Sequence, residues 1–462
     1  MSVSSKTIPD PGTAVVSPSP AQPWPNPRQA WYAVGIFATA LMVNFLDRGI
    51  LTLLVEPIKR DLSLTDTQIS LLMGFAFVCF YVFVGLPIAR LVDSRSRRLI
   101  IGIGIATWSA MTALCGFAQN FWQLFIFRVG VGVGEACNGP ATYSMMADLF
   151  PREKLARAIA VLNFGFVGGT GTALIIGGTV IHFISNTPEL TLPLVGTMRS
   201  WQVTFFIVGL PGLLVAALMA TVREPVRRGR IKQNADGTDR KLLSIREVLQ
   251  YLNAERRAYG PMFLGLALKS VLAFGGAMWV PTFFMRTYGW SATQIGLTQG
   301  TLLLVISPFG LMAGSLLSEW FSRRGYDDAH LRVVLLSSVV LVPGSIIFPL
   351  MPNAYLALAV MAVNNFVAML VPAPQNAALQ IITPNEMRGQ VTALFLFIFN
   401  VVGFGMGPTL VAVFTDFVFG NESQLRYAMV TASAIVGPLA ALVIWMGLKP
   451  YGKSVARARA WS

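Results

Sequence analysis

Long apolar stretches recur along the whole chain, and the short connections between them carry most of the polar residues. A helix that crosses the hydrocarbon core of a bilayer needs about 20 consecutive, mostly apolar residues. A soluble domain can bury one or two such stretches, whereas here they fill nearly the whole sequence. The pattern predicts an all-α polytopic membrane protein with twelve transmembrane helices, over 31–55, 66–92, 98–118, 121–149, 154–184, 200–222, 258–287, 291–320, 330–350, 354–381, 386–416 and 424–448.

Composition and charge support this class and orient the chain in the membrane. The 462 residues are 54% hydrophobic and only 12% charged, whereas about 25% are charged in an average soluble domain. The net charge of +14 could indicate nucleic-acid binding, but the basic residues collect in alternate connections, at 95–98, 152–157, 223–241, 323–324 and 449–459. This is the positive-inside bias of cytoplasmic loops. It predicts a multi-pass inner (plasma) membrane protein with both termini cytoplasmic, and it argues against a nucleic-acid partner.

The polar segments divide the predicted spans into two sets of six. The first 29 residues are rich in proline and serine and show no signal-peptide pattern, so a disordered cytoplasmic tail is expected. A basic stretch between the sixth and seventh spans contains leucines at helical spacing, which favours an amphipathic helix at the membrane interface. The predicted domains are a tail (1–29), an N-terminal six-helix bundle (30–222), a cytoplasmic linker with that helix (223–257), a C-terminal six-helix bundle (258–448) and a second cytoplasmic tail (449–462).

A short internal repeat supports the division into halves. Asp93 is followed four and five residues later by Arg97 and Arg98, and 226 residues further on Glu319 is followed at the same spacing by arginines 323 and 324. Two similar halves are typical of secondary transporters, in which the substrate binds between the halves near the middle of the membrane.

The loop after the second span resembles the major facilitator superfamily signature Gly-x-x-x-Asp-Arg-x-x-Arg-Arg, and the resemblance to this family covers residues 30–448. Asp93 matches, as do the two arginines after it, whereas Ala89 replaces the glycine and Ser94 the first arginine. The resemblance implies that both copies of the motif gate the cytoplasmic side, with Asp93 near the positively polarised start of the eleventh helix. The alternative is that the arginines only set the topology. The implied gating residues are Asp93, Arg97, Arg98, Glu319, Arg323 and Arg324.

Two further motifs resemble the spinster branch of this superfamily, which includes lysolipid and sphingosine-phosphate transporters. The first span contains Asn44-Phe-Leu-Asp47-Arg48, similar to Asn-Tyr-x-Asp-Arg, and the fourth contains Arg128-Val-Gly-Val-Gly-Val-Gly-Glu135. Similar patterns occur in organic-anion symporters of the same superfamily. The resemblance implies a proton-coupled secondary active transporter that works by alternating access on an amphipathic anionic or zwitterionic lipid, such as a lysophospholipid or a sphingoid phosphate. The alternative is a proton-coupled symporter of small organic anions such as sugar acids, and a receptor or scramblase without coupling is a third class.

Four ionisable residues lie inside predicted spans: Asp47, Arg48, Arg128 and Glu135. A charge near the centre of a bilayer helix costs about 2.5–3.5 kcal/mol even on the lenient insertion scale, so such groups usually face a partner or a water-filled cavity. We expect the two arginines to compensate the two carboxylates in one network. The hypothesis is that Asp47, together with Glu135, carries the proton and that Arg48 or Arg128 couples it to the substrate. The alternative is a fixed ion pair that only joins the first and fourth helices.

Other polar and aromatic residues in the spans are candidates for substrate contact. Lys269 either faces the cavity and attracts an anionic headgroup or extends toward the membrane interface. Asn44, close to Asp47 and Arg48 in the first span, is a candidate for substrate binding or coupling. Trp279 and Phe399 are candidates for the cavity wall, although such aromatic side chains are more often simple packing residues.

The sequence contains no pattern that indicates an enzyme, a metal site or a bound cofactor. Residues 447–454 match Gly-x-x-x-x-Gly-Lys-Ser/Thr, but the match begins at the end of the last predicted span and follows no strand, so it does not indicate a phosphate-binding loop. The three cysteines fall inside spans without a Cys-x-x-Cys pair. The two histidines, His182 and His330, are far apart in the sequence. The expected partners are therefore a small molecule or lysolipid, protons and the lipid bilayer, with the protein acting as a monomer without a cofactor.

Overall fold

The computed structural model describes residues 24–185, 189–192, 196–227, 245–384 and 387–458, and these residues are almost entirely helical. One short hairpin, β1 (Glu189–Leu192) and β2 (Gly196–Arg199), interrupts the helices. The helices are α1 (Pro27–Leu53), α2 (Val55–Leu62), α3 (Asp66–Ser70), α4 (Ala76–Ser94), α5 (Arg97–Cys115), α6 (Phe121–Glu135), α7 (Asn138–Leu149), α8 (Arg152–Ser185), α9 (Ser200–Met219), α10 (Ile245–Ala254), α11 (Arg256–Tyr288), α12 (Ala292–Arg323), α13 (Ala329–Leu350), α14 (Ala354–Met369), α15 (Pro372–Ile382), α16 (Arg388–Asn400), α17 (Gly407–Val413) and α18 (Leu425–Ala458).

Within the described residues, ten helical stretches are long and apolar enough to cross a membrane. They correspond to ten of the twelve predicted spans. The predicted fourth span is divided at residues 136–137, where a turn separates α6 from α7, and the predicted fifth span coincides with the 34-residue helix α8. The predicted fold class, an all-α polytopic membrane protein, is confirmed.

Three π-helical segments continue the α-helices: Leu71–Phe75 leads into α4, Val401–Met406 joins α16 to α17, and Phe414–Phe419 follows α17. Such segments are rare and occur frequently at functional sites. The first two face each other across the middle of the molecule, where a Cβ atom added to Gly74 would lie 1.9 Å from the main-chain oxygen of Phe404. Only a glycine permits this approach of the two backbones.

The helices pack as two groups that meet along a seam. In the N-terminal half, α1 packs on α8 and α9, and α5 packs on α6 and α9; in the C-terminal half, α11 and α13 pack on α18. Across the seam, α8 packs on α12, and α3 with the first π-helical segment packs on α17.

The two ends of the bundle differ in which segments they contain. The start of α1, the end of α9, α10 and the end of α18 share one end, which we call the termini end; there Tyr32 is hydrogen-bonded to Thr221 at 2.8 Å and Arg457 to Glu255 at 2.6 Å. The opposite end, which we call the far end, contains α2, the hairpin and the start of α18. A core of apolar residues contributed by both halves lies toward the far end.

Candidate functional site

Helices α1 and α6 bring Arg48 and Glu135 into direct contact. The Arg48 Nε donates to the Glu135 carboxylate at 2.7 Å, and a second guanidinium nitrogen binds the same oxygen. The Glu135 side chain is fully buried, whereas 20% of the Arg48 side chain is exposed. Beside this pair α6 packs closely on α4, because a Cβ on Gly132 would lie 2.4 Å from the main-chain oxygen of Phe77 on α4. Asn44, one turn before Arg48, is buried beside the Glu135 carboxyl.

Asp47 faces different neighbours from Arg48, as expected for adjacent helical residues. Its residue exposure is 0%, and neither of its carboxylate oxygens has a hydrogen-bond partner in the described structure. Thr112 of α5 lies beside it. Arg128 donates to the main-chain oxygens of Asp47, at 3.3 Å, and of Leu72, at 3.4 Å. The four ionisable residues therefore meet in one place, and within it Arg48 forms the direct ion pair while Arg128 lies next to the Asp47 backbone.

The exposed part of Arg48 reaches the seam through aromatic rings. Its guanidinium carbon lies 4.2 Å from the centre of the Phe77 ring and 6.0 Å from that of Phe404, which belongs to the C-terminal half. Phe404 stacks on Phe274 at 3.8 Å, and Phe274 contacts Phe399 at 5.9 Å. One guanidinium is thus partly exposed at the seam and is bordered by aromatic surface from both halves. Cation–π contacts of this kind are worth about 0.5–2 kcal/mol.

Lys269 is held inside the C-terminal half. Its ammonium donates to the hydroxyl oxygens of Ser337 and Ser338 on α13, at 3.1 and 3.4 Å. Both hydroxyl groups in turn donate to main-chain oxygens of Val367 and Val334. The serine oxygens are therefore oriented to accept from the ammonium. In this conformation the group faces α13, not the seam.

The two aromatic candidates differ in their surroundings. Trp279 has 0% exposure and donates its indole N–H to the main-chain oxygen of Pro408 at 2.9 Å, within the far-end core. It lines no open surface in this conformation. Phe399 is partly exposed and belongs to the aromatic group at the seam.

The gating candidates whose side chains the structure describes contact their own half or the start of the linker. Arg97 is buried and binds Asp148, Glu224 and the main-chain oxygen of Pro225, the last at 3.1 Å, and Arg98 donates to the main-chain oxygen of Ala220 at 3.3 Å. The side chain of Asp93 lies outside the described residues. In the second copy of the motif, Glu319 pairs with Arg323 at 3.5 Å on the surface, and Arg324 lies over the Trp320 ring at 3.8 Å.

Glu224 ties the start of the linker to α5. It accepts hydrogen bonds from Ser96 and from the main-chain N–H groups of Arg97 and Arg98 at the first turn of that helix. Burial alone would raise the pKa of Glu224, but these hydrogen bonds hold the pKa below its usual value.

A charged group that sequence reasoning missed joins the halves at the far end. We call it the far-end cluster: Glu56, Lys59 and Asp66 from the N-terminal half, with Arg286 and Glu422 from the C-terminal half. Next to it, Asp416 accepts hydrogen bonds from the backbone N–H and the hydroxyl of Thr67, at 2.7 and 2.6 Å. These residues lie at span ends, so in the sequence they are indistinguishable from ordinary boundary charges.

Polar side-chain contacts between the two halves share one location. They include those of the far-end cluster, Thr67 with Asp416, Ser70 with Thr409 and Thr293 with the Gly178 main chain. All of these lie between the seam and the far end. At the termini end, Tyr32 contacts Thr221 and Arg323 contacts Glu319, each within its own half. This conformation is therefore joined at the far end.

A two-part helical bundle with a charged network in its membrane interior is the architecture of a membrane transporter. Residues 37–408 match the Major Facilitator Superfamily, and the chain belongs to this family. The family and the fold are those of transporters and not of enzymes, as expected from the sequence. No group of three or more potential metal ligands occurs in the part of the chain that the structure describes.

Sequence relatives confirm a spinster-like member of this family. An MFS-type efflux pump of Mycolicibacterium smegmatis is 27% identical over 93% of this chain and 95% of its own length. The probable L-galactonate transporter of Escherichia coli is 26% identical over 62% of this chain and 61% of its own. Protein spinster of Drosophila melanogaster is 22% identical over 64% of this chain and 47% of its own.

A solved structure supports the same fold. A bacterial homologue of the human lysosomal transporter spinster, in an inward-facing and unoccupied conformation, superposes with a TM-score of 0.76. It is 23% identical, and the match covers 93% of this chain and 98% of that one.

Proposed function

We propose that this protein is a proton-coupled secondary active transporter of an amphipathic anionic or zwitterionic lipid, such as a lysophospholipid or a sphingoid phosphate, and that it acts as a monomer. One observation carries the proposal: Arg48 is partly exposed at an aromatic seam while its other side is paired with buried Glu135, next to buried Asp47. A cation with aromatic surface around it fits a ligand that has both an anionic headgroup and an apolar part.

Proton coupling is attributed to Asp47 and Glu135. An ionised carboxylate buried without a hydrogen-bond donor is strongly destabilised, and water or a cation relieves that cost. Asp47 can therefore hold a proton while it is enclosed and release it when water reaches it. An anionic headgroup that binds Arg48 competes with Glu135 for the guanidinium, which links substrate binding to the proton. Arg128 fixes the Asp47 backbone in this scheme.

Alternating access follows from rocking of the two bundles, 30–222 and 258–448, about the seam. The basic residues at the termini end favour a cytoplasmic location for it. With the far end joined by polar contacts across the seam, this conformation corresponds to one open toward the cytoplasm. In the opposite conformation, the gating residues Asp93, Arg97, Arg98, Glu319, Arg323 and Arg324 would hold the termini end closed.

A proton-coupled symporter of small organic anions, such as sugar acids, is the second candidate. The similarity to the probable L-galactonate transporter favours it, and Arg48 could bind a carboxylate as well as a phosphate. In that case the aromatic group at the seam would be a packing feature and not a surface for an acyl chain.

Flux into liposomes under an imposed pH gradient tests both candidates. Reconstituted protein is presented with a labelled lysophospholipid, a sphingoid phosphate and a sugar acid in separate reactions. The lipid proposal requires gradient-dependent transport of a lipid and not of the sugar acid, and the reverse result selects the second candidate. Equilibration of a lipid without any response to the gradient would establish uncoupled movement and refute the proton mechanism.

The Asp47→Asn variant tests the proton site. It should bind substrate with an affinity within about threefold of the parent, since Arg48 is retained, but should lose accumulation driven by the pH gradient. Lys154→Gln, an exposed basic residue at the termini end, serves as the control. Full gradient-driven accumulation by Asp47→Asn would remove Asp47 from the mechanism.

A further inference from the structure

In the far-end cluster, a buried charge has oppositely charged partners both in its own half and across the seam. Asp66 is fully buried, and Arg286 binds both of its carboxylate oxygens from the other half, at 2.7 and 2.8 Å. Lys59, from the same half as Asp66, binds it too. The buried carboxylate thus has one cation across the seam and one on its own side.

The cations are arranged in the same way. Arg286 contacts Asp66 and Glu56 across the seam, and it also contacts Glu422 of its own half, at 3.7 Å to the carboxylate and 3.4 Å to the main-chain oxygen. Lys59 contacts Asp66 of its own half, and Glu422 across the seam at 2.7 Å. The side chains of Lys59 and Arg286 are only 6% and 9% exposed. The Glu56 side chain is 39% exposed and that of Glu422 is 58% exposed, so both carboxylates can be solvated.

Breaking a buried ion pair is costly because one charge is left without compensation. In the far-end cluster, separation of the halves leaves Lys59 with Asp66 and Arg286 with Glu422. We propose that the far-end cluster is a lock that opens by exchange of partners, so that each buried charge passes from a shared cluster to a pair within its own half. Lys59 and Glu422 are the exchange residues. This inference rests on the proposed alternating access, but not on the substrate or on proton coupling.

The alternative is a simple electrostatic clamp, in which each contact across the seam only holds the halves together. The two schemes predict opposite effects of the same substitution on how readily the far end opens. In a clamp, Lys59→Met removes the Lys59–Glu422 contact across the seam and so favours opening. In the exchange scheme the same change strands Asp66 whenever Arg286 leaves, and so opposes opening. Glu422→Gln gives the same contrast from the other half, because it strands Arg286.

A cysteine reporter beneath the lock measures opening. Ser70 has 0% exposure and its hydroxyl lies 3.3 Å from that of Thr409 across the seam, so a cysteine there reacts only when the halves separate. The full chain with Ser70→Cys is reconstituted in liposomes and treated on both faces with a membrane-impermeant maleimide. Labelling of the chain without the reporter is subtracted. The assay needs neither substrate nor a pH gradient, so its outcome is independent of the substrate class proposed above.

We expect Lys59→Met to slow labelling of the reporter by about tenfold or more, and Glu422→Gln to slow it by a smaller factor because that side chain is more exposed. Arg286→Gln should accelerate labelling, since it removes the cross-half partner of Asp66 while Lys59 remains. Adding Asp66→Asn to Lys59→Met removes the stranded charge and should restore the labelling rate.

Arg60→Met is the matched control, because it removes one positive charge from the exposed face of the same helix. It should leave the rate within about twofold of the reporter alone, as expected for a screened surface charge. Faster or unchanged labelling in Lys59→Met or in Glu422→Gln overturns the exchange scheme and establishes a clamp. If Lys59→Met fails to elute as a folded monomer in size-exclusion chromatography, the result with Glu422→Gln decides between the two schemes.

Discussion

Replacing Arg48 by methionine should destabilise the protein more than replacing its partner Glu135 by glutamine. Arg48→Met leaves the Glu135 carboxylate in a site where the side chain has 0% exposure and no other cation forms an ion pair with it among the described residues. Removal of one partner from a buried ion pair typically costs about 3–5 kcal/mol. The variant also loses the contact of the guanidinium with the Phe77 ring.

Glu135→Gln should cost less, about 1–3 kcal/mol, which is the usual value for loss of a charge-assisted hydrogen bond. The amide oxygen of glutamine can still accept from Arg48. The remaining guanidinium is 20% exposed and rests on an aromatic ring, so water and cation–π contact compensate part of its charge.

The double variant measures the coupling between the two residues. Independent effects would add to about 4–8 kcal/mol, whereas a direct pair predicts a double variant no worse than Arg48→Met alone. Free energies of unfolding are obtained by titrating the purified protein in mild detergent with sodium dodecyl sulfate. If the two single-variant losses of unfolding free energy add to that of the double variant within about 0.5 kcal/mol, the direct ion pair is refuted. If Glu135→Gln loses more unfolding free energy than Arg48→Met, the expectation that the more buried charge is the costlier one to leave unpaired is refuted. The exposed pair Glu319 and Arg323 is the control, and its variants should be nearly neutral.

Three further changes test other parts of the structure. Gly74→Ala places a Cβ 1.9 Å from the main-chain oxygen of Phe404; because a backbone atom cannot rotate away, the far-end-joined conformation should lose about 1–3 kcal/mol, and labelling of the Ser70→Cys reporter should accelerate. Lys269→Met should leave the KM for transport within about twofold of the parent and the melting temperature unchanged or higher, since the ammonium that it removes donates to serine hydroxyls. A large rise in KM would show that Lys269 contacts the substrate. Glu224→Gln should cost about 0.5–2 kcal/mol by weakening the cap of α5. The hydrogen bonds hold the pKa of Glu224 below its usual value despite its burial. The parent therefore keeps this stabilisation at neutral pH and loses it as the pH falls through the lowered pKa. The difference in melting temperature between variant and parent should accordingly shrink in acid.

The sequence by itself determined the class of the protein and the helices that carry the charged network. The free energy of placing a residue in a membrane depends mainly on that residue, so apolar stretches and interior charges can be recognised without knowledge of the fold. For this reason Asp47, Arg48, Arg128 and Glu135 stand out in the sequence.

Only the tertiary structure decided which of these groups meet. Arg48 and Glu135 are 87 residues apart, and their contact depends on how α1 and α6 pack and are rotated about their axes. The orientation of the Lys269 side chain toward α13 likewise depends on how the helices pack and not on the local sequence.

The far-end cluster shows why span ends are harder to interpret than span interiors. Charges such as Lys59, Asp66 and Arg286 are common at helix ends, where water is near, and nothing local distinguishes a solvated charge from a buried one. Their burial comes from the approach of two halves that are more than two hundred residues apart in the chain. Because that approach depends on how the halves pack and not on any single stretch of sequence, the lock between them emerges only in three dimensions.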